Sequence, residues 1–225
     1  MSARDAILSR VRAATGAVAG DASRRDVVAR RLADAPTGLI PARGQLEPDA
    51  RTALFCTMAL AVSASVERIS SHADIPAAVA TYLRSKNLPA SFRMGDDPRL
   101  RAADWDAHPA LEIRSGASDG HDETGLSHAF GGVAETGTLV LHSGNDNPTT
   151  VNFLPEHHIV VVDARDISGD LESVLAQVRT KFGAGQMPRT LNMITGPSRS
   201  GDVEQKIILG AHGPRALHIL VVDGQ

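Results

Sequence analysis

Cysteine is nearly missing from this chain of 225 residues: Cys56 is the only one. An internal disulfide is therefore impossible, and so is an iron–sulfur cluster ligated by cysteines of this chain alone. Cys56 sits in the apolar run Leu54–Leu60, where a plain buried thiol is expected. Aromatic residues are also scarce, with one Trp, one Tyr and five Phe, so there is no stacking platform for single-stranded nucleic acid. No basic excess appears, the formal net charge being −3, and that argues against a nucleic-acid or membrane-surface partner. Long hydrophobic runs are absent too. The longest apolar-leaning stretch, Ala53 to Val66, is interrupted by Thr and Ser and is shorter than the roughly 20 residues of a membrane span. Met1–Asp5 lacks the apolar core of a signal peptide, which gives a cytoplasmic expectation.

What is present is an ordinary globular composition, 42% apolar and 22% charged, in a chain long enough to bury a core without a metal or disulfide staple. Apolar spacing predicts an N-terminal helical arm, with helices over 2–14 and 23–33. Breakers crowd 35–48 (Pro36, Gly38, Pro41, Gly44, Pro48), so the arm is expected to occupy 1–48 and the main domain 49–225. In the main domain, helices are expected over 49–64, 75–86 (capped by Asp74) and 171–182, with a helical turn over 99–104. Strands are expected at 66–69, 91–94, 111–114, 138–141, 158–162, 190–194 and 216–222. The residues after 114 read as a polar loop through Asp122, and Ala129 to Leu141 as a glycine-rich bend running into the strand at 138–141. Strand, helix, strand, helix, strand from His158 onward points to an α/β fold with parallel crossovers and helices on both faces.

The last third carries the most informative stretch, Thr195-Gly196-Pro197-Ser198-Arg199-Ser200-Gly201-Asp202-Val203-Glu204-Gln205. It reads as a strand feeding a Gly/Pro loop that opens a short helix over 202–209. Such an order gathers free N–H groups at a helix N-terminus and can hold an anion, with Arg199 as a bidentate partner. Asp202 and Glu204 suit the same helix end but repel an anion, and a helix capped by Ser198 or Ser200 explains the residues equally. The string lacks the Lys of a P-loop. A second loop, Gly131 to Thr138, is expected to come near the first. Its flanking glycines let Glu135 project a carboxylate into a cleft as nucleophile or general base. Alternatively, Glu135 accepts neighbouring N–H groups or pairs with an arginine. Thr136, Gly137 and Thr138 lie beside it, and His212 and Gly213 form a loop at the mouth of the same cleft. His157 and His158 are adjacent and His212 and His218 straddle a Gly-Pro turn, so no metal-ligating set emerges from their spacing.

Four motifs in this order resemble the LUD domain family, in its LutC/YkgG branch: Gly132-Val133-Ala134-Glu135-Thr136-Gly137-Thr138-Leu139-Val140-Leu141, His158-Ile159-Val160-Val161-Val162, Thr195-Gly196-Pro197-Ser198-Arg199 with Asp202 and Glu204-Gln205, and Gly210-Ala211-His212-Gly213-Pro214-Arg215 with Leu217-His218. The resemblance covers the chain from about residue 50 onward, and an N-terminal arm is usual in that branch. It implies a three-layer α/β/α fold similar to the NagB/RpiA/CoA-transferase-like group. It also implies a bacterial role in oxidising L-lactate to pyruvate beside iron–sulfur partner proteins, whose cysteine motifs are absent here. On that basis the chain is expected to be a non-redox component without a cofactor of its own, binding a small carboxylate or organising its partners. The rival expectation is a free-standing enzyme using Glu135 on a phosphorylated or CoA-linked substrate. The sequence assigns no oligomeric state.

Overall fold

The computed structural model describes residues 2–16, 20–203 and 206–224. Contacts divide the chain into two compact units, Met1–Leu39 and Ile40–Gln225, the boundary falling within the breaker-rich stretch and before the 48/49 division expected there. The first unit holds α1 (Ala3–Thr15) and α2 (Ala22–Asp34), each started by its own cap. The Ser2 hydroxyl and the Asp5 carboxylate satisfy each other's backbone N–H groups, and Asp21 accepts from the Arg24 N–H.

The second unit begins with a turn at 42–44 and continues through α3 (Pro48–Ala61), β1 (Ser65–Ile69), α4 (Ile75–Ser85), β2 (Ser91–Met94), α5 (Pro98–Arg101) and β3 (Glu112–Ser115). There follow β4 (Thr124–His128), β5 (Gly131–Val133), β6 (Thr138–His142), α6 (Thr149–Phe153), β7 (His157–Asp163), β8 (Ile167–Ser168) and α7 (Leu171–Phe182). The chain ends through β9 (Leu191–Ile194), β10 (Arg199–Val203), β11 (Lys206–Leu209) and β12 (Ala216–Val222). Pro48 and Pro76 occupy first-turn positions of α3 and α4, where the missing N–H costs nothing. Asp74 does not cap α4 with its side chain as expected; it reaches back to the Ser71 N–H at 2.9 Å and fixes the preceding turn.

One sheet of six parallel strands, in the order β1-β12-β7-β4-β2-β3, forms the centre, with helices on both sides. Alternation along its inner strands splits the core in two. Ile159 and Val161 of β7 and Leu220 and Val222 of β12 pack on the α4 side with Val79, Leu83 and Phe92. Val160, Val162, Ile219 and Val221 pack on the other side with Phe55 and Ala59 of α3 and Leu139 and Leu141 of β6. Strands covered on both faces carry the near-continuous β-branched runs seen in β7 and β12.

Two expectations need correction, and one strand falls where the pattern assigned no element: residues after the polar loop form β4, a buried strand between β2 and β7. Strand β9 exists where expected but belongs to a separate four-stranded sheet, β8-β5-β6-β9, pairing antiparallel with β6, so the expected run of parallel crossovers after His158 reduces to the adjacent pair β7 and β12. Finally, no helix spans 202–209. Strands β10 and β11 form an antiparallel hairpin there, with Arg199 opposite Leu209. Its base is tied by Gly210 N–H donating to Ser198 C=O at 3.0 Å, while Ser198 N–H donates to Pro214 C=O at 2.8 Å.

Candidate functional site

The loop after β9 lines a cavity of about 310 Å³, and Thr195, Gly196, Pro197, Ser198, Arg199, His212 and Gly213 all stand on its wall. The second expected loop meets the first through a chain of hydroxyls. Thr136 Oγ1 lies 2.7 Å from Thr138 Oγ1, which lies 2.7 Å from Thr195 Oγ1. Thr136, Gly137 and Thr138 thus support this wall from behind and do not line the cavity. The anion spot imagined at a helix N-terminus is lost with the helix. Arg199 is also committed elsewhere: its Nη2 donates to Val62 C=O at 2.9 Å and to the Ser63 hydroxyl, closing the carbonyl end of α3. Of Asp202 the structure describes only the backbone, in β10, and Glu204 lies outside the described residues.

Glu135 is buried but does not line this cavity. Its Oε1 accepts the N–H of Leu171, the first residue of α7, at 3.3 Å, and its Oε2 lies 3.9 Å from Arg43 Nε. A carboxylate at a helix N-terminus is held by the helix dipole and the free N–H groups there. That is the anchoring arrangement, and it leaves no attacking oxygen at the cavity.

The deep wall of the cavity carries two polar residues that sequence reasoning did not select as binding groups, His158 and Asn152. Ser127 of β4 donates its hydroxyl proton to Asn152 Oδ1 at 2.8 Å and lies 3.0 Å from His158 Nε2. With that proton spent, Ser127 accepts from His158 Nε2–H, which leaves the lone pair on Nδ1. Burial pushes the His158 pKa down to about 3, so the ring is neutral at physiological pH. Both His158 Nδ1 and Asn152 Nδ2 are buried without a hydrogen-bond partner among the described residues. One is an acceptor and the other a donor, at the wall of one cavity.

A second polar cluster lies at the other end of the sheet. His128 ends β4, Asp163 ends β7, and His72 follows β1, while β12 ends between β1 and β7. Open parallel sheets bind ligands beyond these carboxyl ends. By contrast, the 195–199 loop adjoins the start of β7 and β12, because β9 is not part of the parallel sheet. His72 Nε2 is 3.0 Å and His128 Nε2 3.4 Å from the Asp163 carboxylate, and the three could hold a metal ion. Burial opposes the charge of Asp163, yet His128 and His72 beside it hold its carboxyl below the usual range. Arg99 stands 3.7 Å from Asp163 and is pinned by Asp97 at 2.9 Å. No local pattern marks this cluster, since its members are separated by 56 and 35 residues along the chain; only the register of a sheet brings them together.

Residues 54–222 match the family model of the LUD domain. The chain belongs to the LUD domain family. Within that family it is similar to proteins named Lactate utilization protein C: 39% identical over 93 residues in Geobacillus sp. (strain WCH70), covering 40% of this chain and 39% of that protein. For Geobacillus kaustophilus the figures are 33% over 148 residues, 57% of this chain and 61% of the relative; for Bacillus subtilis they are 34% over 122 residues, 53% and 50%. The matches thus span less than two thirds of these relatives. Among solved structures, a DUF162 family protein from Deinococcus radiodurans shares the fold, with a TM-score of 0.58 at 20% identity over 79% of this chain and 99% of that one. Among the described residues of this LUD-domain chain, no helix is long and apolar enough to cross a membrane.

Proposed function

We propose that this LUD-domain chain serves lactate utilisation as a component that binds a small 2-hydroxy carboxylate and works beside iron–sulfur partner proteins. The similarity to proteins named Lactate utilization protein C supports the setting. The observation that carries the binding reading is the pair of unsatisfied nitrogens, His158 Nδ1 and Asn152 Nδ2, at the wall of a cavity of about 310 Å³. Buried polar atoms without partners cost about 1–3 kcal/mol each, and a ligand that pairs them recovers that cost. A 2-hydroxy carboxylate matches both: its hydroxyl donates to the imidazole lone pair, and a carboxylate oxygen accepts from the amide. A 2-oxo acid has no hydroxyl proton to give and loses one of the two bonds.

Calorimetric titration of the full chain with L-lactate and with pyruvate tests the reading. L-Lactate is expected to bind at least about tenfold more tightly than pyruvate, the worth of one polar bond to a buried group. Asn152→Asp, which sets a carboxylate against the ligand's own, is expected to remove binding. Equal affinity for the two acids, or lactate binding indifferent to Asn152→Asp, would overturn the assignment of the cavity. Capture of the tagged chain from bacteria grown on lactate is expected to bring down iron–sulfur proteins, and their absence would remove the partner half of the proposal.

A further inference from the structure

We propose that His72, His128 and Asp163 form a binding site for a divalent first-row transition-metal ion, one side of which opens onto a cavity at the carboxyl edge of the parallel sheet. The three side chains are set by rigid supports. His128 and Asp163 are the last residues of β4 and β7, and His72 opens a turn closed by the paired Ser71 and Asp74. The rings of His72 and His128 lie nearly parallel, their centroids 5.8 Å apart.

The hydrogen-bond geometry leaves the facing atoms of the three side chains free for a cation. His128 Nδ1 lies 2.9 Å from the carbonyl oxygen of Ala129, an atom that can only accept, so Nδ1 donates there. Its Nε2 faces a carboxylate oxygen of Asp163 3.4 Å away without an aligned hydrogen bond. His72 Nε2, although 3.0 Å from the same carboxylate, makes no aligned hydrogen bond. His72 Nε2, His128 Nε2 and Asp163 Oδ2 are all buried and without a hydrogen-bond partner among the described residues, Oδ2 having only the Arg99 guanidinium at 3.7 Å. A backbone carbonyl fixing the far nitrogen of an imidazole is the usual support for a metal-ligating histidine.

Distance and charge agree. Ligand atoms at about 2.0–2.2 Å from a tetrahedral ion stand roughly 3.3–3.6 Å apart. The histidine-to-carboxylate separations here are 3.0 and 3.4 Å, and the ligand atoms all lie within 4.8 Å of one another. Asp97, Asp163 and Asp166 lie about the guanidinium of Arg99, with Arg165 also near Asp163 and Asp166, so three carboxylates face two guanidiniums and a cation is electrostatically favoured there. Two imidazoles and one carboxylate suit zinc, iron(II) or cobalt(II) better than magnesium or calcium, which prefer all-oxygen sets. Three protein ligands leave a position open, as in catalytic sites. His72 and Asp163 also line a cavity of about 400 Å³ with Arg165 and Asp223 at its rim. This site lies on the opposite face and at the opposite end of the sheet from His158, so it stands apart from the proposed carboxylate cavity.

The test is titration of the chelator-stripped full chain with zinc, and with cobalt(II) as a spectroscopic probe. One zinc per chain at micromolar affinity or tighter is expected, with visible cobalt bands of a low-coordinate nitrogen–oxygen site. His72→Ala, His128→Ala and Asp163→Asn are each expected to weaken binding by more than the roughly 10–100-fold that follows loss of an outer-sphere partner. His121→Ala, on an exposed loop, is expected to bind as the parent does. Where His128→Ala fails to fold, His72→Ala, on a half-buried turn, gives the same reading. No stoichiometric metal, or wild-type affinity in His72→Ala and Asp163→Asn, would overturn the site. Lactate binding is read separately, so failure of either proposal leaves the other standing.

Discussion

At Glu135 a carboxylate that is only 7% exposed meets the first N–H of α7 on one side and a mostly exposed arginine on the other. The two partners are unequal. The N–H is fixed by the helix and shielded from water, whereas Arg43 is 58% exposed and stands 3.9 Å away. Exposed pairs contribute little because solvent screens them and ordering a long side chain costs entropy. Glu135→Gln keeps the shape but removes the charge facing the helix N-terminus, so a loss of about 1–2 kcal/mol of unfolding free energy is expected. Arg43→Ala is expected to change stability by less than about 0.5 kcal/mol. Denaturant melts of the two variants decide the matter, and equal losses would mean that the ion pair, rather than the helix end, holds Glu135. If Glu135 were instead the reacting group of an enzyme, neutralising it would leave stability near the parental value while abolishing activity.

Among elements, the inner strands β7 and β12 were legible because double-sided burial demands runs of Val, Ile and Leu, and those runs are present. Strand β4 was illegible for the opposite reason. Its Thr124, Gly125, Ser127 and His128 look like loop residues, yet all are buried; Ser127 pairs with Asn152 and His158, and His128 holds the Ala129 carbonyl through Nδ1 alone. Nothing in a local pattern announces partners that lie decades of residues away. The 202–209 stretch reads as a helix because a Gly/Pro loop with Ser198, Ser200 and Asp202 has the composition of a helix start. The β-branched pair Ile207 and Ile208 and the ties at Ser198 favour strands instead. Of the candidate site, the loops and their meeting were visible as glycine-rich motifs, whereas His158 and Asn152 on the wall and the His72–His128–Asp163 cluster depend on strand register. Gly137 shows what the glycines of the second loop are for. It closes the β5–β6 turn at φ +66°, and a Cβ there would strike the backbone of Met58 and Ala59 in α3. Backbone cannot swing aside as a side chain can, so Gly137→Ala is expected to cost about 2–4 kcal/mol, combining a left-handed conformation with overpacking. A thermal melt matching the parent would show that α3 can shift away from the turn.

Across the 40–225 unit as a whole, the buried histidines set the response to acid. His158, the second residue of β7, has its pKa lowered to about 3, and His218 of β12 is lowered to about 4, in each case first by burial. His218 also stacks on Tyr82 at 4.3 Å and holds the Ser65 hydroxyl 2.8 Å from its Nδ1. The sign follows from proton counting. In the unfolded chain both rings titrate near the ordinary value of about 6.5, while in the folded protein they stay neutral until far lower pH. Between those limits the unfolded state binds more protons, so unfolding free energy rises with pH and falls as acid is added. The carboxylates Asp97, Asp122 and Asp170, whose pKa values are lowered despite burial by their arginine, serine, glutamine or backbone hydrogen-bond partners, lose their contribution only at lower pH, below about 4. His142 and His157, also lowered by burial, act in the same direction, so acid destabilisation is expected to begin near pH 6, with a slope of about two protons or more per molecule between about pH 5.5 and 4.5. Urea melts across that range measure the slope directly. In His218→Gln the slope is expected to fall by about one proton, because the substituted amide does not titrate. A stability flat from about pH 6.5 to 4.5 in the parent chain would show that these rings are already protonated in the fold, with the Glu67 carboxylate, 3.6 Å from His218 Nε2, as the charge that keeps one of them so.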